Sequence, residues 1–208
     1  MNVIIQALFL VVVLAEDLML FEDGTLYEGF EILNPDNLTV ECEYTKRSNW
    51  VATTMNKDQM IVFTKEGTVS TKVADKDKYY KSIRFMVRYD SDDVKEIPVN
   101  VKIFNETFTT LYNANKLNTI SGYSVKVKKN NSQKMTIKLD NFDLNDKVST
   151  IIFSLPEENS QSIKLLLDQI RLDTRDSQNS EYDGTNENAA SSLLCGSALL
   201  FSVLLVIF

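Results

Sequence analysis

Ser82-Ile-Arg-Phe-Met-Val-Arg-Tyr89 is the stretch that decides the fold. In an extended chain Ile83, Phe85, Val87 and Tyr89 fall on one side and Arg84 and Arg88 on the other. A period of two over this length is the mark of a half-buried strand. Working outward, Ile97-Pro-Val-Asn-Val-Lys-Ile-Phe104 repeats the pattern through Ile97, Val99, Val101 and Ile103. Tyr123-Ser-Val-Lys-Val-Lys128 and Met135-Thr-Ile-Lys-Leu139 do so again with their lysines outward. Shorter candidates run over Leu18 to Phe21, Leu38 to Tyr44, Met60 to Phe63, Thr68 to Val73, Phe108 to Tyr112, Val148 to Phe153 and Leu165 to Leu172. About eleven short strands with one apolar face each, and no segment of helical period, predict an all-β, antiparallel two-sheet sandwich. Phe85, Val87, Val101, Ile103, Ile137, Leu139, Ile151, Phe153 and Ile170 are its expected inner residues.

The composition narrows the chemistry. The 208 residues contain no histidine, which removes imidazole-based hydrolysis and the common histidine-bearing zinc sites. A formal charge of −7 argues against a nucleic-acid partner, since phosphate neutralisation needs clustered lysine and arginine. No glycine-rich phosphate loop or cysteine cluster is present, and acids are too widespread for spacing to single out a catalytic pair. The reading is therefore of a protein that is not an enzyme.

The two ends speak of location. Val3 to Leu14 is apolar apart from Gln6, with Val13 and Ala15 as the small residues of a cleavage site before Glu16, so residues 1–15 read as a signal peptide. Leu193 to Phe208 is a terminal apolar run of sixteen residues with no Lys or Arg after it. As a helix it would reach about 24 Å, short of the ~30 Å hydrocarbon core. The polar stretch from Asp176 to Ser192 precedes it, and the combination reads as a glycosylphosphatidylinositol (GPI) attachment signal with Asp183 or Gly184 as the attachment residue. A single membrane span and a core strand are the rival readings. The domain organisation expected is signal 1–15, sandwich 16–172, polar stalk 173–183 and GPI propeptide 184–208. Cys42 remains without an intramolecular disulfide partner once the tail with Cys195 is removed, and reads as a small buried hydrophobe. Asn37-Leu-Thr, Asn105-Glu-Thr and Asn130-Asn-Ser are N-glycosylation sequons, Asn130 in a turn between two strands.

The order of motifs carries a resemblance. Phe21-Glu-Asp-Gly-Thr, then Glu66-Gly67 ahead of Thr68-Val-Ser-Thr-Lys-Val, then Tyr79-Tyr-Lys-Ser-Ile-Arg-Phe-Met-Val-Arg, then Lys134-Met-Thr-Ile-Lys-Leu-Asp-Asn-Phe, Val148-Ser-Thr-Ile-Ile-Phe and Leu166-Leu-Asp-Gln-Ile-Arg-Leu172 together resemble the jelly-roll carbohydrate-binding modules of the galactose-binding-like fold, over residues 17 to 172. The resemblance implies a structural calcium held by Glu22, Asp23 and Asp168, the acids at the matching positions. It also implies an exposed aromatic platform for sugar rings. Trp50, in a polar run with Arg47 and Asn49, is the expected platform at the sandwich rim, with Tyr79 and Tyr80 along the same edge; Tyr44, Tyr112 and Tyr123 are further candidates.

These readings converge on a GPI-anchored surface or coat protein at the outer face of the plasma membrane or in the cell wall. Its sandwich would bind glycans or neighbouring coat proteins without catalysis. The alternatives are a purely structural wall or spore-coat component and, more remotely, a secreted carbohydrate-active enzyme.

Overall fold

In the computed structural model the described residues are 17–45, 48–57, 59–72, 79–90, 94–117, 122–157, 159, 161–174 and 181–182. The expected signal peptide, the propeptide, Asp183, Gly184 and Arg47 lie outside them. The alternation read in residues 82–89 is realised in strand β7 (Ser82–Asp90), where Ile83, Phe85, Val87 and Tyr89 face the core. The other strands are β1 (Leu18–Glu22), β2 (Thr25–Leu26), β3 (Glu31–Leu33), β4 (Val40–Thr45), β5 (Ser48–Met55), β6 (Met60–Ser70), β8 (Glu96–Phe104), β9 (Tyr123–Lys128), β10 (Gln133–Lys138), β11 (Lys147–Ser154), β12 (Ile163–Asp173) and β13 (Glu181–Tyr182). They form two antiparallel sheets, one of eight strands and one of five, packed as a jelly-roll sandwich. The five-stranded sheet runs β3-β6-β11-β8-β9, and the larger one runs β13-β10-β7-β12 before it divides.

The division has a local cause. β12 pairs with β5 from Ile163 to Leu167 and with β1 from Ile170 to Leu172, both along the same edge. Between the two stretches the register shifts, and Gln169 adopts φ 50°. This bulge inserts one residue, so that Leu165 and Leu167 before it and Ile170 and Leu172 after it all point inward. The β1–β2 hairpin turns through Asp23 and Gly24, both at positive φ, the conformation a two-residue turn requires and Asp-Gly supplies.

Inner residues of both sheets meet in one core that contains every inner residue expected above. Phe21 and Phe85 from the larger sheet interleave with Phe63 and Phe153 from the smaller, at centroid separations of 5.1 to 6.0 Å. Two smaller clusters lie on the outer faces. Trp50, Ala52, Met86 and Leu166 form one on the eight-stranded sheet; Val62, Phe104, Phe108, Leu111 and Ile152 form the other on the five-stranded sheet.

Three expectations need correction. Phe108–Tyr112, read as a strand, lies in a short helix, α1 (Phe108–Asn113). Phe108, Leu111 and Tyr112 stand at helical spacing, and a first turn capped by Thr107 satisfies the backbone more readily than an isolated strand would. The two candidates at Met60 and Thr68 are one long strand, β6. Asp173, read as the first residue of the polar stalk 173–183, is the last residue of β12, and residues 181–182 pair with β10 at Gln133 and Lys134; residues 175–180 and 183 lie outside the described residues. Pairing there satisfies backbone groups on what would otherwise be an open sheet edge.

Candidate functional site

The residues expected to hold calcium are drawn together only in part. Asp168, fully buried beside the β12 bulge, accepts the Asp23 backbone N–H on Oδ1 at 2.9 Å and the Ser48 hydroxyl on Oδ2 at 2.7 Å. Asp23 in turn accepts the backbone N–H and side-chain amide of Asn49 at 2.7 and 2.9 Å. The knot therefore fastens the β1–β2 turn and the start of β5 to β12 at the point where the sheet divides. Burial pushes the Asp168 carboxyl above the usual range, against the hydrogen bonds from Ser48, Asp23 and Gln169. Calcium takes six to eight oxygens. Here both Asp168 oxygens and Asp23 Oδ1 already receive hydrogen-bond donors, and among the described residues no group of three acidic, cysteine or histidine side chains could hold a metal. Glu22, Asp23 and Asp168 as placed do not fit the ion; a hydroxyl and amide donors serve instead.

Trp50 is not a platform. It lies in β5, not in a rim loop, is 2% exposed, and its indole N–H donates to the Thr45 carbonyl at 3.1 Å. The polar run before it misleads because Ser48 and Asn49 are strand residues whose side chains are consumed by the acidic knot. On the same outer face β4 places Glu43 opposite Trp50, and β7 places Arg88 opposite Leu166. Arg88 bonds Asp90 at 2.8 Å, and Lys164 pairs with Glu43.

Tyr79 and Tyr80 line a cleft of about 610 Å³ at one end of the sandwich, with Asp140, Asp143, Asn145 and Asp146 on its walls. Tyr79 is 42% exposed, but Lys72 sits 5.5 Å from its ring centroid and 3.6 Å from an Asp146 oxygen. Tyr79, followed by Asp146, holds the Lys72 ammonium above its ordinary range. This tyrosine face already carries a cation of the protein's own.

The surface that best meets the requirements of a sugar site lies elsewhere. A groove of about 670 Å³ runs over the outer face of the five-stranded sheet beside α1. Asn100 and Lys102 of β8 and Ile152 and Ser154 of β11 form its floor, Tyr112 and Asn115 stand on the helix side, and Met60, Leu117, Leu155, Pro156 and Glu157 complete it. Tyr112, 62% exposed, is the most exposed large hydrophobic side chain among the described residues. Its ring stacks against Phe108 at 6.0 Å and 35°, which leaves it supported yet open.

The helix that presents Tyr112 is bolted to the sheet by two threonines that strand alternation turns outward. Thr64 of β6 and Thr150 of β11 are buried with their hydroxyls 2.8 Å apart. Thr150 donates to the Glu106 carbonyl at 2.8 Å, and Thr64 accepts the Phe108 N–H at 3.3 Å. Thr107 caps the first turn by accepting the Thr110 N–H, and Lys116 returns to Glu106 at 2.7 Å across the far end. Phe108 and Leu111 then pack on Val62, Phe104 and Ile152. Tyr112 was among the sequence candidates; Asn100, Lys102, Asn115 and Ser154 were not, because only the sheet register and the helix bring them to one groove. Threonine followed by apolar residues at i+1, i+4 and i+5 was the available signal for the helix.

The sequon residues sit in turns: Asn37 and Asn130 are exposed with φ 52° and 55°, and Asn105 is half-buried after β8.

No protein-family model and no curated protein matches the sequence. Solved structures do resemble the fold. An exo-β-agarase superposes with a TM-score of 0.51 at 11% identity over 77% of this chain and 25% of that one. PfGH50B does so with a TM-score of 0.52 at 12% identity over 80% of this chain and 24% of its own. The chain thus spans about a quarter of the length of either protein, and the likeness is one of fold alone. The family 11 carbohydrate-binding module of cellulosomal cellulase Lic26A-Cel5E of Clostridium thermocellum is covered over 95% of its length, at a TM-score of 0.46 and 12% identity.

Proposed function

We propose that this chain is an exported, GPI-anchored β-sandwich that binds a glycan, without catalysis, in the groove beside α1. The observation that carries the reading is Tyr112: an open aromatic face, rigidly seated, above a trough that offers amides at Asn100 and Asn115 and a hydroxyl at Ser154. A sugar ring presents both C–H faces and hydroxyls, so an aromatic platform beside amides suits it. Among the described residues lining the groove Glu157 is the single carboxylate, whereas glycoside hydrolysis ordinarily uses two. The groove is shallow enough to expose most of Tyr112, so each copy would bind weakly and many anchored copies would act together.

Tyr112→Ala on a glycan array is the test. Retention of the wild type should be lost in the variant, while the melting temperature moves by no more than about 2–4 °C, because little of Tyr112 is buried. Equal retention of both proteins would place any glycan site elsewhere, and failure of the wild type to bind any glycan would leave a structural coat role.

A further inference from the structure

Resting on that reading, the chemistry of the groove floor names the class of glycan. Strand alternation places Val101 and Ile103 in the core and Lys102 between them on the outer face. Lys102 is half-buried there, and its ammonium donates to the Leu117 carbonyl at 2.7 Å. Among the described residues no carboxylate pairs with it. Lys72, Lys116, Lys126 and Lys164 each face an acid, whereas Lys102, like Lys65 at the Glu28 carbonyl, bonds a backbone oxygen. Gly122 packs on the stem from outside the groove: a Cβ there would lie 3.1 Å from Lys102 Cγ and 3.2 Å from the Val101 carbonyl, close enough that its neighbours would have to give by a few tenths of an ångström. An ammonium supplied with one neutral acceptor, and with no paired carboxylate among the described residues, is set to receive an anion.

We propose that the groove is selective for an acidic glycan, whose ring lies on Tyr112 and whose carboxylate or sulfate bonds the Lys102 ammonium. Burial draws the Lys102 ammonium below its ordinary range, in keeping with a site that lacks a counter-charge. Glu157 is exposed, where water screens its repulsion of such a ligand.

The full chain in detergent is screened against an array holding neutral, uronate-bearing and sulfated oligosaccharides. The best binder is then titrated with wild type, Lys102→Met and Lys102→Arg at low and high salt. Expected are acidic hits, an affinity that falls as salt rises, a loss of about 10- to 100-fold in Lys102→Met, and retention within several-fold in Lys102→Arg. Whether uronates or sulfates dominate identifies the source of the charge. Neutral hits alone, or acidic binding that is unchanged in Lys102→Met, would overturn the proposal and leave the groove as a glycan site. No binding to any class would overturn the glycan reading itself. The salt dependence of the wild type decides the matter even if Lys102→Met does not fold.

Discussion

Asp168 has no exposed surface, yet its carboxylate ties three segments of chain together. Its raised folded-state pKa, due first to burial, has a definite sign in stability. A carboxyl that is harder to ionise in the folded state than in the unfolded chain costs nothing while both forms are protonated, below the unfolded value. It destabilises the fold progressively as pH rises through the folded value. Asp168→Asn removes that titration while keeping an oxygen to accept the Asp23 N–H. The difference in melting temperature between wild type and variant should therefore shift in favour of the variant as pH climbs from about 3 to 7. Parallel melting curves across that range would show that the carboxyl is not desolvated. Arg84 illustrates the complementary case. It was read as an outward arginine, and it does face outward, but it is 8% exposed because its guanidinium meets the fully buried Asp173 at 2.7 Å.

At the scale of elements, α1 is too short to persist alone, since isolated helices under about 12–15 residues are marginal in water. Its six residues hold together through the hydroxyls of Thr64 and Thr150, the Thr107 cap and the seating of Phe108 and Leu111. Thr150→Val keeps the shape and deletes the bond to the Glu106 carbonyl, leaving that acceptor without its donor. Stability should fall by about 1–3 kcal/mol in chemical denaturation. Glycan retention should fall with it, because the platform residue rides on the loosened helix. A variant that loses stability but binds as before would show that Tyr112 does not depend on this anchorage.

For the whole molecule, β13 is the last of the described elements. Glu181 and Tyr182 pair with Lys134 and Gln133, and the proposed attachment residues Asp183 and Gly184 follow at once. An anchor there would follow directly on a strand paired at the β10 edge and would hold the domain close to the bilayer. Treatment of intact cells with a phosphatidylinositol-specific phospholipase should release the protein into the medium with its folded domain intact. Retention in the membrane fraction, for an anchor of a type the enzyme can cleave, would favour a true membrane span.

What the amino-acid order determined by itself was whatever depends on local periodicity: most of the long strands and the side of each that is buried. Alternation is written residue by residue, so Phe85, Val101 and Phe153 were legible as core before any partner strand was known. Which outward residues remain in water was decided only by tertiary structure. Arg84 alternates outward as read, and Trp50, read in a rim loop, lies on the outer face of β5, yet the first is sealed in an ion pair and the second in an apolar cluster, because neighbours distant in sequence stand beside them. The groove is the same case. Asn100, Lys102, Tyr112 and Ser154 come from two strands and a helix whose adjacency follows from the pairing of β8 with β11 and the docking of α1, and no local pattern encodes either.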